Sequence, residues 1–257
     1  MNCIFCCVFY EEGYLALFYL LLESIQKYGN LEDHTTHLLV YTSTPFMNKI
    51  KQSPFMNPHI VFEISDSIDT IDKACKSRLD LFQLPSVAQF NYSKILYLDV
   101  DILVRGDLQR IFDVCEQEVV YAKEEGVIWG DYWGGVSYFG KELELYEDQS
   151  AFSTGILLFK NCQAVRDLFC HIHQHIKENP SHFVDQAHFV YTAFKYSMYN
   201  NKELNHLIGD MEDIRNIKDI RDIKDIKEKV LYHFHGDLGS PEKKLLLMHT
   251  FLKDRGL

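Results

Sequence analysis

Lys94-Ile-Leu-Tyr-Leu-Asp99-Val-Asp101-Ile-Leu-Val-Arg105-Gly-Asp107-Leu is the stretch on which the reading of this chain turns. Its first five residues form a short apolar run, as expected of a strand covered on both faces. The run ends in two carboxylates at spacing two, and apolar residues resume at once. Paired carboxylates repel, and an apolar flank retains both only where a cation neutralises them. Oxygen ligands point to a hard divalent ion, Mn²⁺ or Mg²⁺. Such an ion clamps a diphosphate and absorbs the charge that develops as it leaves. Asp-x-Asp alone is a common surface pattern; at the end of a buried strand it carries more weight.

Upstream of this stretch, strands alternate with helices. Residues 3–10 are a continuous apolar run, residues 14–28 read as a helix stopped at Gly29-Asn30, and residues 37–41 and 60–64 read as strands. Residues 77–84 read as a helix that ends before Pro85. This alternation predicts an α/β fold with a mixed, mostly parallel sheet flanked by helices. Ligands of such sheets bind beyond the carboxyl ends of the strands, where Asp99 and Asp101 fall.

Downstream, residues 124–146 hold both tryptophans and several glycines, and read as an irregular aromatic loop. Its plain reading is a loop packed by its own side chains; its functional reading is a platform for sugar rings. Residues 152–160 read as a buried strand and residues 161–177 as a helix. His171, His173 and His175 alternate along that helix, which spreads them around it and predicts solvated side chains, not a metal cluster. Residues 213–229 repeat Ile every third position among alternating charges and read as a low-complexity surface insertion.

The 257 residues carry 26 basic and 37 acidic side chains, a formal charge of −11. Such a surface disfavours nucleic acid and anionic lipid as partners. No apolar stretch has the length of a membrane span. The apolar start lacks a basic segment and is interrupted by Glu11 and Glu12, unlike a signal peptide. Seven cysteines without ligand-like spacing predict reduced thiols and a cytoplasmic setting.

Two further elements carry chemistry. Leu231-Tyr-His233-Phe-His235-Gly236-Asp-Leu-Gly239-Ser-Pro-Glu-Lys243-Lys244 joins a short strand through a glycine-rich loop to two lysines. Glycines let backbone amides approach phosphate, and a lysine adds a cation. His233 and His235 share one strand face, and spacing alone does not choose between them. Asp185-Gln186 opens a helix, where an acid beside an amide orients a sugar or caps the helix; alone, the cap reading is favoured.

In this order, strand with Asp-x-Asp, Phe-x-x-Gly, Asp-Gln and His-Phe-x-Gly with a later Lys, the motifs resemble glycosyltransferase family 8. The resemblance covers nearly the whole chain. It implies a nucleotide-sugar-binding, Rossmann-like fold of GT-A type, a UDP-sugar donor, UDP-glucose or UDP-galactose, and Mn²⁺ with Mg²⁺ as the alternative. It also implies hexose transfer with retention of configuration to a glycan, protein or lipid-linked acceptor. By position, it gives Asp99, Asp101 and His233 as metal ligands and Asp185 and Gln186 as the pair beside the anomeric carbon. Tyr14 corresponds to the aromatic that stacks on uracil, Phe9 and Tyr10 to contacts with the base, and Arg78 and Val100 to donor contacts. Ser153 and Thr154 correspond to the sugar-contacting turn. Gly236 and Lys244 correspond to the diphosphate clamp, with Lys243 as the alternative lysine. The turn is usually Phe-Asn-x-Gly and here is Phe152-Ser153-Thr154-Gly155; serine reaches less far than asparagine. The resulting expectation is a single glycosyltransferase domain over residues 1–257, with a nucleotide-binding half at 1–105 and an acceptor and donor-sugar half at 106–257. A homodimer is compatible with it. The rival readings are a phosphatase of the haloacid dehalogenase type, which also uses Asp-x-Asp after a strand, and a nucleotide-sugar binder without turnover.

Overall fold

The computed structural model describes residues 1–31, 35–130, 135–180, 185–210, 229–235 and 240–254. Its centre is a seven-stranded sheet in the order β3-β2-β1-β4-β7-β6-β8. β1 (Asn2–Val8), β2 (Thr36–Thr42), β3 (Ile60–Ile64) and β4 (Lys94–Leu98) are parallel. β7 (Ser150–Lys160) is antiparallel to β4 and to β6 (Val120–Val127), and β6 pairs in parallel with the short β8 (Tyr199–Asn200). The mixed, mainly parallel α/β architecture is the one expected.

Both faces of the sheet are covered, which is why its central strands read as unbroken apolar runs. In β1, Ile4, Cys6 and Val8 join one core with Leu17 and Leu21 of α1 (Glu12–Tyr28). Cys3 and Phe5 join the other, with Val87 of α4 (Pro85–Phe90), Phe169 of α6 (Gln163–Glu178) and Phe189 of α7 (Gln186–Lys195). β4 divides in the same way, Leu96 and Leu98 on one side and Ile95 and Tyr97 on the other. α1 stops where Asn30 takes a left-handed conformation, φ 48°. α2 (Thr44–Lys51) follows β2.

A second, three-stranded sheet was not foreseen. β5 (Ile102–Val104) leaves directly from the Asp-x-Asp segment and pairs with β10 (Leu231–His233), which pairs with β9 (Ile208–Asp210). The antiparallel register sets His233 opposite Ile102, and Phe234 N donates to Asp101 O at 3.0 Å. This sheet brings a residue far along the chain to the end of β4.

Three expectations need refinement or correction. Residues 77–84 were expected as a helix; Ser77–Gln83 is one, but of 3₁₀ type, and it is preceded by the short α3 (Ile71–Lys76). α3 is only six residues long, too short for the spacing of Ile71, Ala74 and Cys75 to stand out, and its N-cap Thr70 side chain accepts from Lys73 N. Residues 124–146 are not all loop, because β6 continues to Val127 before 3₁₀ segments at Ile128–Gly130 and Val136–Leu145. Of the three α6 histidines only His171 is exposed: His173 Nε2 meets Leu79 O at 3.0 Å, and His175 packs on α7. All seven cysteines are free. The isoleucine repeat, apart from Lys229, and Trp133 lie outside the described residues. Among the described residues no helix is long and apolar enough to cross a membrane. α5 (Gln109–Asp113) follows β5, and α8 (Pro241–Asp254) follows β10.

Candidate active site

The carboxyl ends of β1 and β4 open on a cavity of about 200 Å³. β1 is where the strand order reverses, with β2 on one side and β4 on the other, the position at which open α/β sheets leave a crevice. The lining is of two kinds. Cys7, Phe9, Tyr14, Ile71 and Ala74 are apolar or aromatic. Arg78, Asp99, Asp101 and Lys244 are charged, and Cys75, Tyr97 and Val100 complete the lining.

Asp99, Asp101 and His233 place one potential ligand atom each within 4.8 Å of one another, the one group among the described residues arranged so that it could hold a metal ion. The surroundings suit a divalent ion. Asp101 Oδ1 is buried, has no hydrogen-bond partner among the described residues, and lies 3.4 Å from His233 Nε2. Gly155 of β7 keeps the space clear. A Cβ there would lie 2.6 Å from His233 Nε2 and 3.0 Å from Asp99 Oδ2. Two carboxylates and an imidazole suit a first-row divalent ion. The residues therefore fit a metal.

Each acid is held by a cation. Lys244 Nζ donates to Asp101 Oδ2 at 2.6 Å. Burial opposes ionisation of Asp101, but His233 and Lys244 outweigh it and hold the carboxyl well below its usual range. Arg78 is the hub of the charged lining. Its Nη2 lies 3.3 Å from Asp99 Oδ1, its Nε 3.1 Å from Asp185 Oδ2, and its Nη1 donates to Thr154 O at 2.5 Å. The guanidinium also lies 4.7 Å from the centre of the Tyr97 ring. The Tyr97 hydroxyl, kept neutral by burial, donates to Asp99 Oδ1.

Asp185 stands at the N-cap of α7, yet its side chain makes no capping hydrogen bond. It turns to Arg78 instead. Burial pushes its carboxyl up to about 6, Arg78 pulls the other way, and Asp99 adds to the rise. Gln186 donates to Phe152 O at 3.3 Å and to Glu125 Oε2 at 2.8 Å. Glu125 Oε1 is 3.7 Å from His235 Nδ1, and the His235 and His233 ring centres are 4.7 Å apart. Gln186, Glu125 and His235 thus form a polar flank running on from the metal-ligating cluster.

Of the residues named from sequence, Phe9, Tyr14, Arg78, Asp99, Val100, Asp101 and Lys244 line the cavity. His233, Thr154 and Asp185 adjoin its charged residues. Ser153 is buried, with its Oγ accepting from Gly155 N at 3.4 Å, and it does not line the cavity. Tyr10 is exposed, has φ 78°, and stands outside the cavity lining. Lys243 is exposed on α8. Gly236 lies outside the described residues. Sequence reasoning missed Tyr97, Glu125 and the Gly155 clearance. Tyr97 had a signal: it sits two positions before Asp99 in a strand, hence on the same side.

By sequence, no curated protein is significantly similar. By fold, the chain matches the WbbM bifunctional glycosyltransferase with a TM-score of 0.65 and 16% identity, over 95% of this chain and 49% of that one. It therefore spans about half the length of WbbM. The galactosyltransferase LgtC, solved with donor and acceptor sugar analogues, matches with a TM-score of 0.64 and 16% identity, over 97% of this chain and 96% of LgtC. Mouse xyloside xylosyltransferase 1 matches with a TM-score of 0.61 and 15% identity, over 94% of this chain and 100% of that one. These likenesses establish a glycosyltransferase fold of GT-A type. The sequence description "Glycosyl transferase family 8" matches residues 72–239, more than half of the chain. The protein is therefore a member of glycosyl transferase family 8.

Proposed function

We propose that this glycosyltransferase moves a hexose from a UDP-sugar, UDP-glucose or UDP-galactose, to a hydroxyl acceptor with retention of configuration. The observation that carries the proposal is one cavity that combines aromatic and charged lining residues. A planar base suits Phe9 and Tyr14, and a diphosphate suits Arg78 and Lys244. Asp99, Asp101 and His233 would hold the divalent ion, Mn²⁺ before Mg²⁺ given the imidazole. When bound, that ion supplies charge neutralisation to the departing diphosphate.

The chain's own residues do the rest. Arg78 orients Asp99 and Asp185 at once. Asp185 and Gln186 face the donor sugar, and the departing phosphate takes the acceptor proton on the face it leaves. Glu125, which accepts from Gln186, and the neighbouring His235 receive the acceptor hydroxyl. The phosphatase reading gives way to family membership. A binder without turnover would leave the three acids of the site no task beyond affinity.

The test is calorimetric UDP binding with and without Mn²⁺, alongside hydrolysis of UDP-glucose and UDP-galactose. Mn²⁺ should tighten UDP at least tenfold, on the order of 1.4 kcal/mol. Asp101→Asn should abolish that gain and lower turnover by about a hundredfold or more. UDP affinity indifferent to Mn²⁺ would overturn the metal assignment. Tight binding without turnover, with any acceptor, would favour the inactive binder.

A further inference from the structure

Lys244 sits in the first turn of α8, a helix that opens at Pro241. Its ammonium reaches into the cavity to Asp101 Oδ2 at 2.6 Å, and both side chains are largely covered, 17% and 10% exposed. The same carboxylate turns its buried Oδ1 toward His233. The ammonium and a divalent ion would therefore draw on one carboxylate, as like charges in a poorly screened place.

Arg78 and Lys244, the two cations of the lining, differ in their commitments. Arg78 is fixed to Asp99, Asp185, Thr154 O and Cys75 O. Lys244 has one ion-pair partner among the described residues, Asp101. Its single charge sits on a flexible stem, able to turn to another acceptor without breaking a network. Tyr14 lines the same cavity within electrostatic reach of this ammonium, so an anion tethered to a base bound against Tyr14 would meet it.

We propose that Lys244 couples metal and diphosphate binding: it opposes a divalent ion at Asp101 until a diphosphate gives its ammonium another partner. The proposal rests on the reading of this cavity as a site for a nucleoside diphosphate and a divalent ion, and adds an order to it. A metal alone binds weakly, because it meets the ammonium. The diphosphate draws the ammonium off the carboxylate, and the two ligands then assist each other. By linkage, the factor by which UDP tightens Mn²⁺ equals the factor by which Mn²⁺ tightens UDP.

The experiment measures Mn²⁺ alone, UDP alone, and each in the presence of the other, by calorimetry on wild type and variants. Lys244→Gln should bind Mn²⁺ alone about tenfold tighter than wild type, and the coupling factor should fall by the same ratio. Lys244→Arg, which keeps the charge, should stay near wild type. Lys243→Gln should match wild type in all four affinities. Thermal melts check folding; if Lys244→Gln melts early, Lys244→Met serves in its place. Unchanged Mn²⁺ affinity in the neutral variants, or an unchanged coupling factor, would overturn the proposal and leave the donor reading intact. Wild type binding neither ligand would overturn both.

Discussion

His233 and His188 are both buried, and their surroundings differ in kind. His233 faces Asp101, shares a cluster with Asp99, and stands near a lysine-held carboxylate. His188, on α7, has its Nδ1 2.9 Å from Nδ1 of His175, while Tyr138 OH lies 3.4 Å from its Nε2. The rings of Tyr138 and Tyr191 pack around this pair. The first region keeps full charges close together and leaves Asp101 Oδ1 without a hydrogen bond among the described residues; the second is an aromatic packing unit whose imidazoles are held neutral by burial. Burial alone therefore does not mark a functional histidine. What marks it is charge assembled at a cost that folding does not require.

The comparison breaks first if the charged region proves to be structural. Arg78 offers the largest effect, since its side chain and that of Asp185 are 9% and 5% exposed. Removing one partner of a buried pair costs about 3–5 kcal/mol, because it strands the other charge. Arg78→Met should lose that much in urea unfolding at pH 8. The sign with pH follows from Asp185. Its folded pKa, about 6, already lies above the unfolded value and should rise further without Arg78. An acid raised in this way burdens the fold above its folded pKa and is relieved as pH falls through it. The deficit of Arg78→Met should therefore shrink between pH 8 and pH 5. A deficit independent of pH would mean that Asp185 is not the stranded charge.

How far the molecule was legible from sequence follows the same divide. β4 was legible because both its faces are buried, so apolarity ran unbroken to Asp99. β5, β9 and β10 span three residues each, too short for any period to show, and their pairing is what delivers His233. α3 spans six residues, so its Ile71, Ala74 and Cys75 spacing was too brief to read as a helix. Glu125 was hidden beside Glu124, because its approach to Gln186 depends on a β6–β7 register with shifts on either side of Glu124. His175 was judged from its own helix, whereas its partner His188 comes from another, which no local spacing reveals. Tertiary pairing, not local pattern, decided each of these cases.

A smaller effect sharpens the comparison within one strand. Tyr232 and His233 are neighbours on β10 and face opposite ways, as strand geometry requires. Each is matched by a glycine: a Cβ on Gly209 would lie 2.5 Å from the Tyr232 ring, and one on Gly155 2.3 Å from His233 Cε1. Gly155→Ala should push the imidazole out of place and weaken Mn²⁺ by up to about a hundredfold, the scale of misplacing a ligand's support. Gly209→Ala should instead lower stability by about 1–3 kcal/mol, with Mn²⁺ affinity nearly intact. Calorimetry and urea unfolding on both variants separate the two. Equal losses of metal affinity would show that β10 moves as a unit and that the faces are not independent.

The smallest effect belongs to the neutral cluster and appears as pH dependence. Burial lowers the His188 pKa to about 4, with His175 and Lys76 adding to the fall. His175 is also lowered, by burial and then Lys195, with Glu178 opposing. The hydrogen bond between the two Nδ1 atoms needs one donor and one acceptor, so at most one of these nitrogens carries a proton. The unfolded chain takes up a proton at His188 near pH 6.5, while the folded chain resists until about pH 4. A base lowered in this way contributes nothing to pH dependence well above 6.5 and costs stability as pH falls below it. Between pH 7 and pH 5 the expected loss is about 2 kcal/mol for this residue. His188→Gln cannot take up that proton, so its urea stability should fall by about 2 kcal/mol less than wild type over the same interval. The variant keeps Asp185, Gln186 and the cavity, so Mn²⁺ and UDP affinity at pH 7.5 should stay within a few-fold of wild type. Parallel stability curves would mean that His188 ionises in the folded state, and the contrast with His233 would then lose its basis.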